Sequence, residues 1–177
     1  MNSAGGNIAV AYKAIDMLGQ LKQNVITYSS SYSASVATLI LFSGGDRRAA
    51  SDSKFMLHPI SLLWKGKVPV SAEYLSNQND RDRLNKSNAN FRQRYIDSST
   101  TGVVTQQCIN RLIDDSNGHK NVVLTPTFAL QAGWIDSVDF GTLALVRKGD
   151  QRIPNVLAYE EGKKLEHLVA SLSNHAP

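Results

Sequence analysis

Hydrophobic and polar positions alternate along the beginning of the chain in a way that predicts two helices with a strand between them. Across residues 7–21, apolar side chains recur every three or four positions, the spacing of one face of an amphipathic helix. Residues 23–28 are rich in β-branched and aromatic side chains and predict a strand. A run of small polar residues, 29–35, then leads into the apolar segment Val36–Phe42, for which we predict a buried helix that ends at Gly44.

The middle of the chain combines a short strand with a long polar segment. Residues 54–58 predict a second strand, with His58 at its end. Residues 71–98 predict a long helix whose apolar side chains form one sparse stripe of Leu84, Phe91 and Tyr95. A stripe of this kind is typical of a helix that packs on one side only, or against a partner chain.

Helix and strand patterns continue towards the C-terminus. Residues 105–115 predict a helix, and Thr125 followed by proline is a typical start of another, which stops at Gly133 before a strand over residues 134–138. The alternation of strands and helices predicts an α/β fold. We take residues 1–140 as one domain and residues 141–177 as a C-terminal extension of unknown function. In the extension, a hairpin or connector is expected at 146–154 and a closing helix at 160–172.

Composition narrows the classes of function. The 177 residues suffice for one domain with a buried core, and the net charge of +4 comes from scattered Lys and Arg that form no basic stripe, which argues against nucleic-acid binding. Cys108 is the single cysteine, which excludes an intramolecular disulfide and suits a reducing compartment. No apolar run approaches the ~20 residues that span a bilayer, and the first residues do not form a signal peptide. We predict a soluble cytoplasmic protein without a metal ion or other cofactor.

Two side chains have the surroundings that serine-based hydrolysis requires. Ser35 follows a strand and a turn of small residues and precedes an apolar helix, so it lies near free N–H groups and the positive end of a helix dipole. The N–H of Val36 is therefore a candidate donor to an oxyanion. Gly5 and Gly6 open the first helix with a backbone that a substrate can approach closely. His58, at the end of a strand, is a candidate general base.

Four segments in the same order resemble the ClpP family, the proteolytic subunit of the Clp protease. Asn-Ser-Ala-Gly-Gly at residues 2–6 is similar to the family's Asn-Ser-Pro-Gly-Gly, and Ala-Ser-Val-Ala at 34–37 is similar to its nucleophile segment, with no gap between them. Phe-Met-Leu-His-Pro at 55–59 resembles the strand that carries the catalytic histidine. Residues 125–138 resemble the segment Ser-Ala-Pro-Glu-Ala…Gly-Leu-Val-Asp-Ser.

The resemblance implies a fold, an activity and a set of partners. The fold would be ClpP/crotonase-like, built from strand–helix units with a protruding long helix. The activity would be that of a serine peptidase that forms an acyl-enzyme on Ser35, with His58 as base and the N–H groups of Gly6 and Val36 as the oxyanion hole. The substrates would be peptides or unfolded proteins. The partners would be further copies of the chain in stacked rings, and an ATP-dependent unfoldase.

The chain departs from the family's pattern at two places. The strands and helix that open the family's fold are absent before the Gly-Gly segment, as expected for a fragment, a truncated product or a replaced segment. The stretch between His58 and Thr125 is longer than in the family, so counting does not place the third catalytic residue. Asp115 is favoured, Asp114 is nearly equal, and a back-count from Thr125 reaches Asn117. An asparagine at this position lowers the rate of serine proteases roughly 10⁴-fold.

Two other classes of function stay open from the sequence. One is another member of the crotonase-like superfamily, which binds acyl-CoA thioesters with a similar pair of backbone N–H groups but does not need Ser35 and His58. The other is a ClpP-like subunit that assembles without cutting. Covalent labelling of Ser35 by a fluorophosphonate separates a peptidase from both, since only an acyl-enzyme former reacts.

Overall fold

A computed structural model describes residues 1–21, 25–64, 68–114, 121–140, 143–147 and 156–159. Short connections join helices and strands that alternate along most of this range. In chain order these are α1 (Ile8–Gln20), β1 (Ile26–Ser29), β2 (Tyr32–Ala34), α2 (Val36–Phe42), β3 (Asp46–Ala50), β4 (Lys54–Leu57), β5 (Leu62–Trp64), β6 (Val68–Val70), a 3-10 helix (Ala72–Tyr74), α3 (Gln78–Ser98), α4 (Gln106–Asp114), β7 (Val122–Leu124), α5 (Pro126–Gln131), β8 (Ser137–Phe140), β9 (Leu143–Arg147) and β10 (Val156–Tyr159).

The described strands form three sheets. The largest has the order β1-β3-β8-β9-β10, the second has the order β2-β4-β7, and β5 and β6 form a hairpin. The pairs β1–β3, β3–β8 and β2–β4 are parallel, whereas β7 runs antiparallel to β4. Parallel pairs joined through helices confirm the predicted α/β class.

Two helix starts with a local capping signal are found where the sequence predicts them. The side chain of Asn7 accepts hydrogen bonds from the N–H groups of Ala9 and Val10 at the start of α1. Thr125 caps α5 by accepting from the N–H of Phe128, with Pro126 in the first turn. α2 has the predicted bounds, Val36–Phe42. None of the described helices combines the length and the apolar composition that crossing a bilayer requires.

Other predicted bounds were wrong. α3 begins at Gln78 rather than at residue 71, because Asn77 caps it there by accepting from the N–H of Asn79, and a 3-10 turn occupies residues 72–74. The strand expected at 134–138 begins only at Ser137. The run 29–35 contains a strand, β2, where a turn was expected. The closing helix at 160–172 and most of the connector at 146–154 lie outside the described residues.

The apolar stripe of α3 faces the chain's own core, so no partner chain is needed to cover it. Leu84, Phe91 and Tyr95 are at most 2% exposed. Phe91 and Tyr95 pack edge to face with ring centroids 5.0 Å apart, and Tyr95 also contacts Trp134, whose ring stacks on Phe42 at 5.4 Å. Of the two arrangements that the sequence allows for this stripe, the structure has the one in which the helix packs on one side against the chain's own core.

A buried ion pair joins the largest sheet to the segment after α5. The guanidinium of Arg47 lies on the carboxylate of Asp136 at 2.9 Å, with 4% and 8% of the two side chains exposed. The same carboxylate accepts the backbone N–H of Arg47, and Arg47 also donates to the carbonyl of Ser98 at the end of α3. Every charge in this cluster is hydrogen-bonded, as burial requires.

We predict that Asp136→Asn lowers the free energy of unfolding by about 3–5 kcal/mol, because it leaves the buried Arg47 charge without its counter-ion. The matched control is Asp46→Asn, which breaks a half-exposed pair with Arg48 and should cost at most about 1 kcal/mol. Urea denaturation of the two variants measures both values. Equal losses would show that the burial of the Arg47–Asp136 pair does not determine its contribution.

Candidate active site

Strand pairing brings Ser35 and His58 to one edge of a sheet. Ser35 follows β2 directly, and His58 follows β4 directly. The two strands are parallel neighbours with Ala34 opposite Met56, so their carboxyl ends meet at the same edge. The N-terminal segment lies on the other side of β2, where Ser3 bridges to Ser33 in parallel. At this edge of the sheet, Ser35 therefore lies between the segment that follows Ser3 and His58, which follows β4.

The backbone of Ser35 has an unusual conformation. Its φ of 56° lies in the left-handed region, and among the described residues it is the single non-glycine residue with a positive φ. A side chain in this region costs about 1–3 kcal/mol and persists only where neighbouring contacts impose it. The sharp turn between β2 and α2 leaves the Ser35 side chain half-buried and without a capping hydrogen bond to the helix.

Hydrogen bonds on both sides of Ser35 hold this turn. Its N–H donates to the carbonyl of Met56 on β4 at 2.7 Å. Its carbonyl accepts from the N–H of Thr38 at 3.0 Å and from the Thr38 hydroxyl at 2.5 Å. The Thr38 hydroxyl donates its proton to the carbonyl of Ser35. In the contact of 2.6 Å between Thr38 Oγ1 and the Tyr95 hydroxyl, Tyr95 is therefore the donor. Burial raises the pKa of Tyr95, which keeps this donor neutral.

Gly5 and Gly6 differ in their contact with Ser35. A side chain on Gly5 would place Cβ 2.7 Å from the Cβ of Ser35 and 2.8 Å from the carbonyl oxygen of Ala34, and Gly5 has a φ of +95°. No atom lies within 4 Å of the corresponding position on Gly6. The missing side chain of Gly5 therefore allows Ser35 to approach closely, whereas the space beside the α-carbon of Gly6 is open. Val36 is the first residue of α2, so its N–H has no intrahelical acceptor.

The His58 ring has a defined hydrogen-bond partner on one side. Its Nδ1 lies 2.7 Å from the carbonyl oxygen of Pro59. Since that oxygen can only accept, Nδ1 carries the proton and Nε2 is an acceptor. In the described part of the chain, no hydrogen bond joins Ser35 Oγ to this ring. Such bonds are often long in a free enzyme and shorten when substrate binds.

The third predicted residue is not placed by the structure. Asp115 and the alternative Asn117 lie outside the described residues, and Asp114 is the last residue of α4. The chain returns at β7, where Val122 pairs with Leu57, the residue before His58. Across the described ranges, no three His, Cys, Asp or Glu side chains are grouped so that they could hold a metal ion.

Two contributors to this site were missed in the sequence. The hydroxyl of Thr38 was visible as a polar interruption of the apolar segment Val36–Phe42, and such a hydroxyl is buried only where it finds a partner. Tyr95 was assigned to an apolar stripe, and its hydroxyl gave no separate signal. Thr38 binds the carbonyl of Ser35, and Tyr95 acts on that carbonyl through the Thr38 hydroxyl, a contact that sequence spacing does not identify.

We predict that Gly5→Ala lowers the free energy of unfolding by roughly 2–4 kcal/mol, because it combines a left-handed φ with overpacking against Ser35. Gly6→Ala is the neighbouring control and should change stability by less than about 1 kcal/mol, since its new methyl group meets open space. Thermal and urea unfolding check both. If Gly5→Ala were as stable as Gly6→Ala, the close contact with Ser35 would be wrong.

Comparison with known proteins identifies the family. A search of curated proteins finds no match. A family model described as Clp protease matches residues 1–140, which include Ser35, His58 and the elements that carry them. The mixed α/β architecture, with its small sheets and packed helices, fits the ClpP-like fold that the sequence resemblance predicts. The chain therefore belongs to the Clp protease family.

Proposed function

We propose that this chain is a serine peptidase that cleaves peptide bonds through an acyl-enzyme on Ser35. The observation that carries the proposal is the left-handed turn at Ser35, at the sheet edge where His58 follows β4. Strain of this kind is concentrated at functional sites, and a strained strand-to-helix turn exposes a nucleophile at the edge of a sheet. The family match supports the same class of reaction.

The reaction follows from the groups at this edge. Nε2 of His58 takes the proton of Ser35 Oγ as this oxygen attacks the peptide carbonyl. The N–H groups of Gly6 and Val36 donate to the oxyanion that forms. His58 then gives the proton to the leaving amine, and an ester of Ser35 remains. A water molecule, deprotonated by His58, cleaves the ester, releases the second product and restores the hydroxyl.

For the third position we keep Asp115 as the candidate that the resemblance favours, with Asp114 and Asn117 as alternatives. A carboxylate near His58 would stabilise the imidazolium that forms when Ser35 loses its proton. The start of β7 lies beside the end of β4, since Val122 pairs with Leu57, the residue before His58.

Of the alternatives, the acyl-CoA-binding enzyme is disfavoured by the family match. A non-catalytic subunit of the same family differs from the proposed peptidase in one property, the reactivity of Ser35. The distinction therefore rests on covalent labelling rather than on fold.

We predict that Ser35→Ala and His58→Ala each abolish hydrolysis of short fluorogenic peptides and covalent labelling by a fluorophosphonate. Each change removes one partner of the proton transfer, and removing either partner of such a pair costs roughly 10⁴-fold or more in rate. Ser30→Ala, an exposed serine before β2, is the control and should retain full activity. Labelling that persists in Ser35→Ala, or hydrolysis that persists in His58→Ala, would refute the assignment of that residue.

We further propose that the chain forms a homo-oligomer of rings, that its substrates are peptides or unfolded proteins, and that an ATP-dependent unfoldase delivers them. Clp protease family members form oligomeric rings that act on peptides. On this chain, α1 exposes Val10 (65%) and Met17 (65%) on one helical face, its C-cap residue Leu21 is 57% exposed, and the edge strand β1 exposes Ile26 (61%). An apolar surface of this kind is typical of a contact with a further subunit.

We predict that light scattering gives the 177-residue chain the molar mass of an oligomer. Met17→Asp should lower that molar mass towards the 19.4 kDa of the monomer. A charge in a subunit contact loses its hydration without gaining a partner. Tyr74→Asp is the control, because Tyr74 is equally exposed (67%) on the 3-10 helix. A stable monomer of the unaltered chain at micromolar concentration would contradict the proposal.

A further inference from the structure

The buried stripe of α3 contains one polar residue. Leu84, Phe91 and Tyr95 lie on the same face of the helix, and Asn88 occupies the position between Leu84 and Phe91 on that face. Asn88 is half-buried, and it occupies a position at which the helix pattern favours an apolar side chain. A polar side chain in such a place is retained only with hydrogen-bond partners.

Asn88 binds the backbone just beyond His58. Its Oδ1 accepts the N–H of Ile60 at 2.6 Å, and its Nδ2 donates to the carbonyl of Ile60 at 3.1 Å and to that of Leu84 at 3.2 Å. The carboxamide thus pairs with both backbone groups of one residue, as a neighbouring strand would. The chain after β4 is thereby attached to α3.

The bond from Ile60 acts on the same peptide group that binds the His58 ring. The N–H of Ile60 and the carbonyl of Pro59 belong to one planar trans peptide and point in opposite directions. On one side this peptide donates to Asn88, and on the other it accepts from Nδ1 of His58 at 2.7 Å. A peptide that donates on one side becomes a stronger acceptor on the other, because chained hydrogen bonds polarise one another.

We propose that Asn88 is a positioning residue for His58, acting through the Pro59–Ile60 peptide group. This inference rests on the proposed function of Ser35 and His58. The peptide holds the proton on Nδ1, which leaves Nε2 free to accept the proton of Ser35. A neutral imidazole ring has a single N–H group, and in His58 this group donates to the Pro59 carbonyl. That carbonyl therefore lies where a carboxylate accepts from Nδ1 in a catalytic triad. A carboxylate from Asp115 would act on the imidazolium through its charge.

Nitrogen-15 NMR of the histidine rings tests the inference without requiring activity. The chain has four histidines, and loss of one signal in His58→Gln assigns the ring. At about pH 8.5 the N–H proton of the His58 ring should reside on Nδ1. Asn88→Ala should reduce that population, whereas Asn85→Ala, one turn earlier and exposed, should not.

The rate of Ser35 labelling by a fluorophosphonate gives the second measurement. Asn88→Ala should slow it about tenfold, the effect of losing one orienting hydrogen bond, and Asn85→Ala should leave it unchanged. Asp115→Asn should slow labelling without moving the ring proton.

The outcomes separate the two proposals. A proton on Nε2 of His58 in the unaltered chain would overturn the inference whether or not the variants fold, and so would an Nδ1 population that Asn88→Ala leaves unchanged. If Ser35 does not react but the ring proton follows Asn88, the peptidase proposal fails and the positioning role stands. If Ser35 reacts and the Nδ1 proton population of His58 is the same in Asn88→Ala as in the unaltered chain, the positioning role alone fails.

Discussion

The left-handed backbone at Ser35 is the constraint to which the surrounding structure is fitted. It is unfavourable for a residue with a side chain, so neighbouring contacts must impose it. The β2–β4 pairing fixes its N–H, and Thr38 fixes its carbonyl. The missing side chain of Gly5 gives the turn the space that it needs. These contacts come from three parts of the chain, so the turn forms only once the sheet and α2 are both in place.

The long helix α3 supports both halves of the candidate site. Through Tyr95 it reaches Thr38 and the carbonyl of Ser35, and through Asn88 it reaches the peptide that binds His58. Its own position is fixed by aromatic packing and by the indole N–H of Trp134, which donates to the carbonyl of Tyr95 at 2.8 Å. The resemblance implies that this long helix protrudes, but one face of α3 packs into the core.

Sequence reasoning succeeded where a signal is local. The start of α1 was predicted within one residue, at Asn7, and Thr125 was predicted correctly as the cap of α5. β2 was missed because Tyr-Ser-Ala has weak strand propensity and becomes a strand by pairing with β4. Ser35 became a candidate through the turn of small residues before it and the apolar helix after it, and His58 through its place at the end of a strand. Asn88 carried a signal, a polar residue in an apolar stripe, but its partner Ile60 is distant in sequence and becomes its neighbour only in the folded chain.

The spacing of Asn88 and Tyr95 along α3 fixes the distance between the two parts of the candidate site that the helix supports. They are seven residues apart, about two turns, so they share a face and lie ~10 Å apart along the axis. One residue inserted between them would turn one away from the other by about 100°, and would detach either the serine turn or the histidine segment while leaving every side chain in the site intact. Across homologous chains, insertions and deletions should therefore be rarer between these two positions than in the polar turns on either side of the helix.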